Sequence, residues 1–461
     1  MLFNSQALVL GLLPLALAGW YLAPTRGARQ AWVILASLAF YAFWDIRFVP
    51  LLVGLTLANW LVARAHAGRP SGPWASLGIA MNLGVLAWVK YANFIADNVA
   101  WALGGRHDGW SIILPLGVSF YVFQKVSYLV DLKRGQAKVY TLSDFFLFVC
   151  FFPQLVAGPL VRHNEVIWQF AQPPRRPETA ETLARGFVLF TIGLVKKVGV
   201  ADTVAPVADA AFGRAAAAGQ ALASSDAWLG TLAYTLQIYF DFSGYSDMAL
   251  GLALMFGLRL PANFDAPYRS ASIREFWRRW HMTLSRFLRD YLYVPLGGNR
   301  SGAARQAVNV VLTMLLAGLW HGAAWTFVAW GGLHGLALAV NAAWHRAGLR
   351  MPWVLGWALT MLFVMAGWVL FRAPDFATAA RMFEAMATLP LARGAVAMDT
   401  TQTVALLGGC AAALLGPASQ VFALDRLRPH PWVGAAVGVV LFLMLLLVGG
   451  RVPNEFIYFQ F

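Results

Sequence analysis

Charged residues are scarce in this chain: Asp, Glu, Lys and Arg make up 12% of its 461 residues, whereas 59% are hydrophobic. Soluble globular proteins carry about 25% charged residues, so the composition excludes an ordinary soluble domain. Apolar stretches long enough to cross a bilayer recur along the whole length, which predicts an all-α polytopic membrane protein. We predict about eleven transmembrane helices, together with re-entrant and interfacial helices. No linker or repeat interrupts the chain, so residues 1–461 are expected to form one integral membrane domain.

Cysteine is nearly absent: the two cysteines are Cys150 and Cys410, and both lie in apolar runs. Such cysteines are typical of small core residues, so we expect no disulfide framework. No histidine or cysteine spacing matches a zinc site, and no metal site is predicted. The sequence also lacks a Walker A motif, a GxSxG nucleophile elbow and a GxGxxG motif followed by a soluble βαβ unit. These absences argue against the enzyme classes that depend on such motifs.

Acidic residues are outnumbered, with 21 Asp and Glu against 35 Lys and Arg, which gives a formal net charge of +14. Basic residues follow alternate apolar stretches, at Arg26 and Arg29, at Arg64 and Arg69, and in the loop 131–136. The positive-inside rule places these loops in the cytoplasm and the N-terminus outside. The first apolar run has neither a basic n-region nor a cleavage site, so we expect a retained helix. The positive charge therefore indicates topology and contact with anionic membrane lipids, and nucleic-acid binding is not expected.

The segment 261–306 combines aromatic residues with arginines. Ser272 and Glu275 have the spacing of a capping box, which predicts a helix that begins at Ile273. The Pro and Gly residues within 295–298 would end that helix.

This predicted helix is amphipathic, and at 100° per residue its apolar face carries Trp277, Trp280, Leu284, Leu288 and Tyr291. His281 falls at the border of that face, beside Arg278 and Arg289. In one interpretation the helix lies at the membrane interface, with aromatic rings at headgroup depth and arginines on lipid phosphates. In the other, the arginines also hold an anionic cytosolic substrate, such as a nucleotide-bearing cofactor.

The stretch "LLAGLWHGAAW" (315–325) places His321 within an almost wholly apolar run. If the run is helical, small residues flank the imidazole and leave space beside it. Gly318 and Gly322 form a GxxxG pair, which favours close packing of a neighbouring helix. A polar side chain at membrane depth is costly, so His321 is either hydrogen-bonded across helices or part of a reaction or a pathway.

The other histidines carry weaker signals. His334 lies among glycines in "WGGLHGLAL", which favours a role in helix packing. We expect the remaining histidines to be solvated loop residues, namely His66, His107, His163, His345 and His430.

Two carboxylates interrupt the apolar run 234–258. Asp241 and Asp247 must be paired, hydrated or protonated there. They either join a polar network with arginines of the following segment or line a cavity.

The chain resembles the membrane-bound O-acyltransferases, and within them the bacterial branch that acetylates exported polysaccharides such as alginate. The combination of "FWRRWH" with "GLWHG" carries the resemblance most specifically. The matching blocks are "KYANF" (90–94), "PLGVSFYVFQKVSYLVDLKRG" (115–135), "FFPQLVAGPLVR" (151–162), the run 227–268, "REFWRRWHMTLSRFLRDYLYVPLGGNR" (274–300), "LAGLWHGAAWTFVAWGGLHG" (316–335) and "FIYFQF" (456–461).

The resemblance implies a catalytic core at about 115–335, in which His321 is the catalytic histidine and His281 its motif partner. It also implies a helical rim around a thin central region, where a cytosolic acyl donor meets an acceptor from the other side. The donor is expected to be acetyl-CoA, used as a substrate, with no permanently bound cofactor. Expected partners are a periplasmic SGNH-type acetyltransferase and a polysaccharide synthase or secretion complex, at a bacterial inner membrane with the N-terminus periplasmic.

In the chemistry that this resemblance implies, His321 acts as general base on an attacking hydroxyl, from a partner serine or a sugar. His281, or a backbone N–H near Gly297 and Gly298, would hydrogen-bond the oxyanion. Arg278 and Arg289 are expected to bind the phosphates of the donor.

Alternative acceptors stay open within the family: peptidoglycan O-acetylation, or D-alanyl transfer to teichoic acid. Outside it, a proton-coupled transporter with a relay through His321, Asp241 and Asp247 predicts paired halves with matching broken helices. No such internal symmetry is visible. A purely structural membrane subunit would tolerate loss of both motif histidines.

Overall fold

The computed structural model describes residues 2–217, 222–389, 394–428, 430–450 and 456–457. These residues form helices, turns and loops, and no β-strand occurs among them, which confirms the all-α prediction. The helices are α1 (Leu13–Leu22), α2 (Arg26–Asp45), α3 (Val49–Gly68), α4 (Trp74–Leu86), α5 (Ala92–Ala102), α6 (Val118–Lys133), α7 (Leu142–Cys150), α8 (Phe152–Leu155), α9 (His163–Val166), α10 (Thr179–Leu194), α11 (Asp202–Ala216), α12 (Ser224–Met255), α13 (Ile273–Arg279), α14 (Met282–Leu288), α15 (Gly302–His321), α16 (Trp325–Arg346), α17 (Trp353–Arg372), α18 (Phe376–Ala387), α19 (Thr400–Leu415) and α20 (Pro431–Gly449). Shorter π-helical segments occupy Ala7–Leu12, Ala87–Tyr91, Val195–Ala201, Arg289–Tyr293 and Val421–Arg426, and 3₁₀ turns occupy Ile46–Phe48, Ile167–Ala171 and Pro267–Arg269.

Side-chain caps fix where several of these helices begin. Thr25 accepts a hydrogen bond from the backbone N–H of Ala28 at the start of α2. Asp399 and Gln402 form a reciprocal capping box at the start of α19. Each cap satisfies backbone donors that the first turn of a helix leaves without an intrahelical partner, and a lost cap costs about 1 kcal/mol.

The helices confirm a multi-pass membrane protein. Within the described residues, six helical segments are long and apolar enough to cross a bilayer, and two further apolar helices, Ala7–Leu22 and Thr400–Leu415, are shorter. The six are Arg26–Gly68, Trp74–Ala102, Gly302–His321, Trp325–Arg346, Trp353–Arg372 and Pro431–Gly449. The count of about eleven crossings stays a prediction, because these lengths and compositions do not establish it.

The described residues divide into two compact units. This division does not test the prediction that residues 1–461 form one integral membrane domain. The first unit takes its described residues from 2–194, 245–262 and 423–450. In its core, Val188 and Leu189 of α10 pack with Leu250 and Leu254 of α12 and with Ala423.

Polar side chains of the first unit are buried where the sequence indicated solvated loops. His66 is 6% exposed and His163 is 2% exposed, so the prediction for these two histidines was wrong. The two ring nitrogens of His163 both have partners: Nε2 lies 3.3 Å from Asp131 Oδ2, and Nδ1 lies 2.9 Å from the hydroxyl of Tyr140. Burial of this imidazole is tolerated because both nitrogens are satisfied. Cys150 and Cys410 are free thiols, as expected.

The second unit takes its described residues from 195–217, 222–244, 263–389, 394–422 and 456–457. Its central feature is an antiparallel hairpin of α15 and α16 with closely approaching backbones. A Cβ added to Gly331 would lie 2.1 Å from the carbonyl oxygen of Met314, and one added to Gly318 would lie 2.2 Å from that of Phe327. The interpretation of Gly318 as a helix-packing residue is confirmed, and the contacts place Gly331 opposite it. Gly322 is not a helix-packing residue, because it lies after the end of α15 and an added Cβ there would meet the ring of Phe327.

Candidate functional site

His321 is the last residue of α15 and is 3% exposed. The sequence analysis treated the stretch 315–325 as a possible single helix. The structure shows instead that the helix ends at His321. Gly322 has an extended backbone (φ −161°, ψ 149°), and the next helix begins only at Trp325. The reversal at 322–324 lets α16 fold back onto α15, so the glycine-lined faces pack against each other. The histidine is thereby placed at a helix end inside the second unit.

Aromatic rings enclose the imidazole of His321. The ring centroid of Trp320 lies 4.9 Å away, and those of Trp330 and Phe371 each lie 5.2 Å away. All three contacts are edge-to-face, with interplanar angles of 73°, 90° and 71° respectively. Such contacts restrict ring rotation and replace water by low-dielectric surface, which strengthens any hydrogen bond that the ring makes.

His281 occupies a break in the helix that the sequence predicted from Ile273. The predicted start is confirmed, since Ser272 Oγ accepts the N–H of Glu275 at 3.2 Å. The single continuous helix is wrong, because α13 ends at Arg279 and α14 begins at Met282. His281 lies between them with φ 42° and ψ 52°, in the left-handed region. Its side chain is fully buried instead of lying at the border of an amphipathic face.

Tertiary contacts hold His281 in this strained backbone conformation. Among the described residues, only His281 and Ala266 are non-glycine residues with positive φ. The backbone N–H of Met282 donates to the carbonyl oxygen of Asn263 at 2.9 Å, and the hydroxyl of Thr283 donates to Asn263 Oδ1 at 2.6 Å. A strained residue costs of order 1–3 kcal/mol and persists only where the surroundings determine it, typically at functional sites.

The His281 ring is neutral in the folded protein. The residue lies outside the six candidate spans, and burial lowers its pKa to about 3. One ring nitrogen therefore carries a hydrogen and the other is an acceptor at neutral pH.

Trp320 brings the two predicted motif histidines together. Its ring centroid lies 6.2 Å from that of His281 and 4.9 Å from that of His321. The structure thus places both residues around one indole. Nothing in the spacing of the two motifs alone fixes this arrangement.

The two arginines predicted to bind phosphate differ in their surroundings. Arg278, near the end of α13, is exposed. Arg289 is also exposed, but its guanidinium is engaged by the adjacent Asp290, with N–O distances of 2.6 Å and 3.1 Å. Arg279 on the same helix is paired with Glu275 at 3.0 Å. Arg278 is therefore the better placed of the two predicted residues to meet an incoming anion.

Two tryptophans of the predicted apolar face, Trp277 and Trp280, lie inside the protein, whereas Tyr291 of the same face is partly exposed. Trp280 is 1% exposed and packs on Trp368 with ring centroids 5.0 Å apart. The interfacial interpretation, with the aromatic rings at headgroup depth, is wrong for Trp277 and Trp280 because protein surrounds them.

His334 is fully buried in α16 and is hydrogen-bonded to a residue of another helix. The indole N–H of Trp277 donates to His334 Nδ1 at 3.2 Å, and since an indole only donates, Nδ1 must accept. Trp330 lies 4.7 Å from the His334 ring and 5.2 Å from the His321 ring, between centroids. Trp277, Trp330 and His334 thus form a buried cluster, and Trp330 is its member that contacts the His321 ring. The sequence analysis gave no role to Trp330.

Asp241 is paired with a lysine that the sequence analysis missed. Lys197 Nζ lies 2.6 Å from Asp241 Oδ1 and 2.7 Å from Asp202 Oδ1. The predicted network with arginines of the following segment is therefore wrong for Asp241. The sequence feature that could have indicated this ion pair is the pair of lysines, Lys196 and Lys197, within an apolar run. Asp247 belongs to the first unit and is 5% exposed.

Comparisons with known proteins agree with the resemblance seen in the motifs. Residues 75–375 match the model of the MBOAT, membrane-bound O-acyltransferase family. The probable alginate O-acetylase AlgI of Pseudomonas aeruginosa is 45% identical over 397 residues, which cover 84% of this chain and 75% of that protein. The peptidoglycan O-acetyltransferase of Helicobacter pylori is 38% identical over 426 residues, covering 84% and 80%. The teichoic acid D-alanyltransferase of Streptococcus thermophilus is 30% identical over 246 residues, covering 51% and 59%.

Proposed function

Because the chain belongs to the membrane-bound O-acyltransferase family, we propose that it transfers acetyl groups from cytosolic acetyl-CoA across the membrane for O-acetylation of an exported polysaccharide. Its general class, an O-acyltransferase of multi-pass membrane architecture, follows from the family. The observation that carries the proposal is the placement of His321 and His281, both buried, around Trp320. Two buried imidazoles beside the same indole suit acyl transfer, which needs both a proton acceptor and a hydrogen-bond donor.

His321 would act as the general base. Its imidazole takes the proton of the acceptor hydroxyl while that oxygen bonds to the thioester carbonyl carbon. The tetrahedral intermediate then collapses, the C–S bond breaks, and the thiolate of coenzyme A leaves with the proton from the imidazolium. The aromatic rings around His321 would keep bulk water from competing with the acceptor.

His281 would stabilise the oxyanion of the tetrahedral intermediate. Since its ring is neutral, one nitrogen retains a hydrogen to donate. The strained backbone at His281 fixes the direction of the ring before substrate arrives, and a preorganised donor of this kind contributes about 3 kcal/mol.

Arg278, assisted by Arg289, would bind the phosphates of the donor. We expect Arg278→Ala to raise the KM for acetyl-CoA by about tenfold, a typical loss for a charge-assisted hydrogen bond, with kcat nearly unchanged. Initial rates at varied acetyl-CoA, with protein in detergent micelles, measure both constants.

The matched control for Arg278 is Arg350→Ala, which removes an exposed arginine of the same unit from the loop after α16. An equal rise in KM in both variants would mean that the general positive field, and not Arg278 itself, attracts the donor.

The acceptor is proposed from the relatives. The alginate O-acetylases favour alginate or a similar exported polysaccharide. The proposal also includes cellulose as an acceptor, and as partners a periplasmic SGNH-type acetyltransferase and a polysaccharide synthase or secretion complex. Peptidoglycan is the second candidate acceptor, because the match to the Helicobacter pylori enzyme covers the same share of this chain as the match to the alginate O-acetylases. D-alanyl transfer is less favoured, since the Streptococcus thermophilus enzyme matches only 51% of it. Family membership also favours an enzyme over a proton-coupled transporter.

The proposed topology follows the arginine-rich loops. We place the protein in a bacterial inner membrane with a periplasmic N-terminus, so that Arg278 would meet donor from the cytosol. The periplasmic side would supply the hydroxyl acceptor.

The function is tested with purified protein in liposomes that enclose an acceptor and receive labelled acetyl-CoA outside. Mannuronate oligomers, cello-oligosaccharides and peptidoglycan fragments serve as acceptors, each with a purified SGNH-type partner, and mass spectrometry detects the ester. Acetylated polysaccharide inside the liposomes is the expected result. Ester only on peptidoglycan would select the second candidate, and turnover only with a D-alanyl carrier protein would overturn the acetyl-CoA route.

A further inference from the structure

The dipeptide Phe456–Ile457 is buried in the second unit, although it is far along the chain from the site. Phe456 is 1% exposed and Ile457 is 5% exposed. Both belong to the "FIYFQF" block, whose residues 458–461 lie outside the described residues. We call Phe456–Ile457 the late segment.

The late segment is attached to α12 at two adjacent residues. The backbone N–H of Ile457 donates to Asp241 Oδ2 at 2.8 Å. The ring of Phe456 lies 5.7 Å from that of Phe242, between centroids. A polar contact and an apolar contact therefore fix the same short piece of backbone.

Asp241 is a strong anchor because of its charged neighbours. Lys197 contacts the other oxygen, Asp241 Oδ1, and also Asp202. One ammonium between two carboxylates leaves the cluster with a net negative charge if all three are ionised. The buried carboxylate oxygen consequently gains from a backbone N–H donor, and such charge-assisted hydrogen bonds are roughly twice as strong as neutral ones.

Phe242 links the late segment to the candidate site. Its ring lies 4.7 Å from the His281 ring in an edge-to-face contact of 64°. It also lies 5.0 Å from the ring of Phe264, at 81°. Phe242 thus packs against Phe264 and Phe456, and its ring also contacts the imidazole of His281.

The direction of the His281 side chain depends on such neighbouring rings, because the backbone of His281 is strained. Its φ of 42° gives the side chain a direction that local preferences do not favour. If Phe242 rotates into space vacated by Phe456, the His281 ring gains freedom. We propose that the late segment is a positioning element of the site, in which Phe456, acting through Phe242, fixes the direction of the His281 imidazole. This inference rests on the proposed role of His281 in acyl transfer.

The inference is tested with Phe456→Ala, Phe456→Leu and the matched control Phe212→Ala. Phe212 is a phenylalanine of the same unit, 2% exposed, whose ring packs on Tyr234 at 5.9 Å. Phe456→Ala should lower kcat for acetyl transfer about 10–100-fold, as a slightly misplaced catalytic group does, with the KM for acetyl-CoA unchanged. Phe456→Leu should restore much of kcat because it refills the space, and Phe212→Ala should keep the kcat of the unsubstituted protein.

Thermal unfolding of each variant separates positioning from loss of the fold. If Phe456→Ala does not fold, Ile457→Pro decides the matter, since proline removes the N–H that donates to Asp241. A lowered kcat in Phe456→Ala or Ile457→Pro, at near-normal stability, supports the proposal. Normal kcat in folded Phe456→Ala or Ile457→Pro, or an equal loss in Phe212→Ala, overturns it. An inactive unsubstituted protein would instead refute the proposed function.

Discussion

His321→Ala is expected to abolish acetyl transfer while the protein stays folded. The substitution removes the nitrogen that would accept the proton of the acceptor hydroxyl, and a positioned general base contributes about 10²–10⁴-fold to the rate. The aromatic rings around His321 pack with each other as well as with the imidazole, so they retain most of their contacts. Trp330 and Phe371, for example, lie 5.1 Å apart between centroids.

The measurement is acetyl ester formed per minute by equal amounts of monodisperse protein. His345→Ala is the matched control, because it removes an exposed histidine near the end of α16 in the same unit. His321→Gln tests the base with less change of volume and should be as inactive as His321→Ala. Normal ester formation in either His321 variant would end the assignment of His321 as general base.

Gly331→Leu is expected to have the largest effect on stability. A Cβ at this position would already lie 2.1 Å from the carbonyl oxygen of Met314, and the obstructing atom is backbone. Overpacking a core costs about 1–3 kcal/mol when side chains can move, so a clash with backbone should exceed that range. The hairpin must open for the leucine to fit, which would also shift His321 at its end. We expect loss of both folded protein and activity.

Gly332→Ala is the control for this prediction, because an added Cβ there meets only Leu315 Cδ2, at 3.2 Å. Size-exclusion profiles and thermal midpoints of the two variants give the comparison. The close-packed hairpin is refuted if Gly331→Leu elutes and melts like Gly332→Ala.

The membrane class was accessible from the sequence, and the resemblance selected the two motif histidines as candidates. Long apolar runs with few charges are a direct physical requirement of the bilayer, so composition alone identified the class. The glycines near His321 indicated close helix packing, and α15 and α16 confirm it. Arg278 and Arg289 were predicted as a pair, and the structure distinguishes them: both are exposed, but the neighbouring Asp290 engages the guanidinium of Arg289.

The break at His281 was not accessible from the sequence. Apolar residues at helical spacing continue through the break, since Trp277 and Leu284 are both buried on its two sides. What ends α13 is tertiary: Asn263 accepts hydrogen bonds from the residues directly after His281. No residue type near the break predicts its hydrogen bonds with Asn263.

Partners across long sequence distances were equally hidden. Asp241 required a counter-charge, but the sequence did not distinguish Lys197 from the arginines that follow. The late segment gave no sign that its backbone would meet Asp241. Such choices depend on which helices pack together, and periodicity along one helix does not encode them.

The burial of His281 makes proton uptake part of unfolding. The folded ring stays neutral because burial lowers its pKa to about 3 from an ordinary 6.5, whereas the exposed ring of the unfolded chain binds a proton near 6.5. The unfolded state therefore binds more protons between pH 6.5 and 3, and the free energy of unfolding falls as the pH drops through that window. Above pH 6.5 the ring is neutral in both states, so His281 does not make the free energy of unfolding depend on pH. Acid therefore favours opening of the interior, because only the opened chain lets this ring take up a proton without the cost of burial.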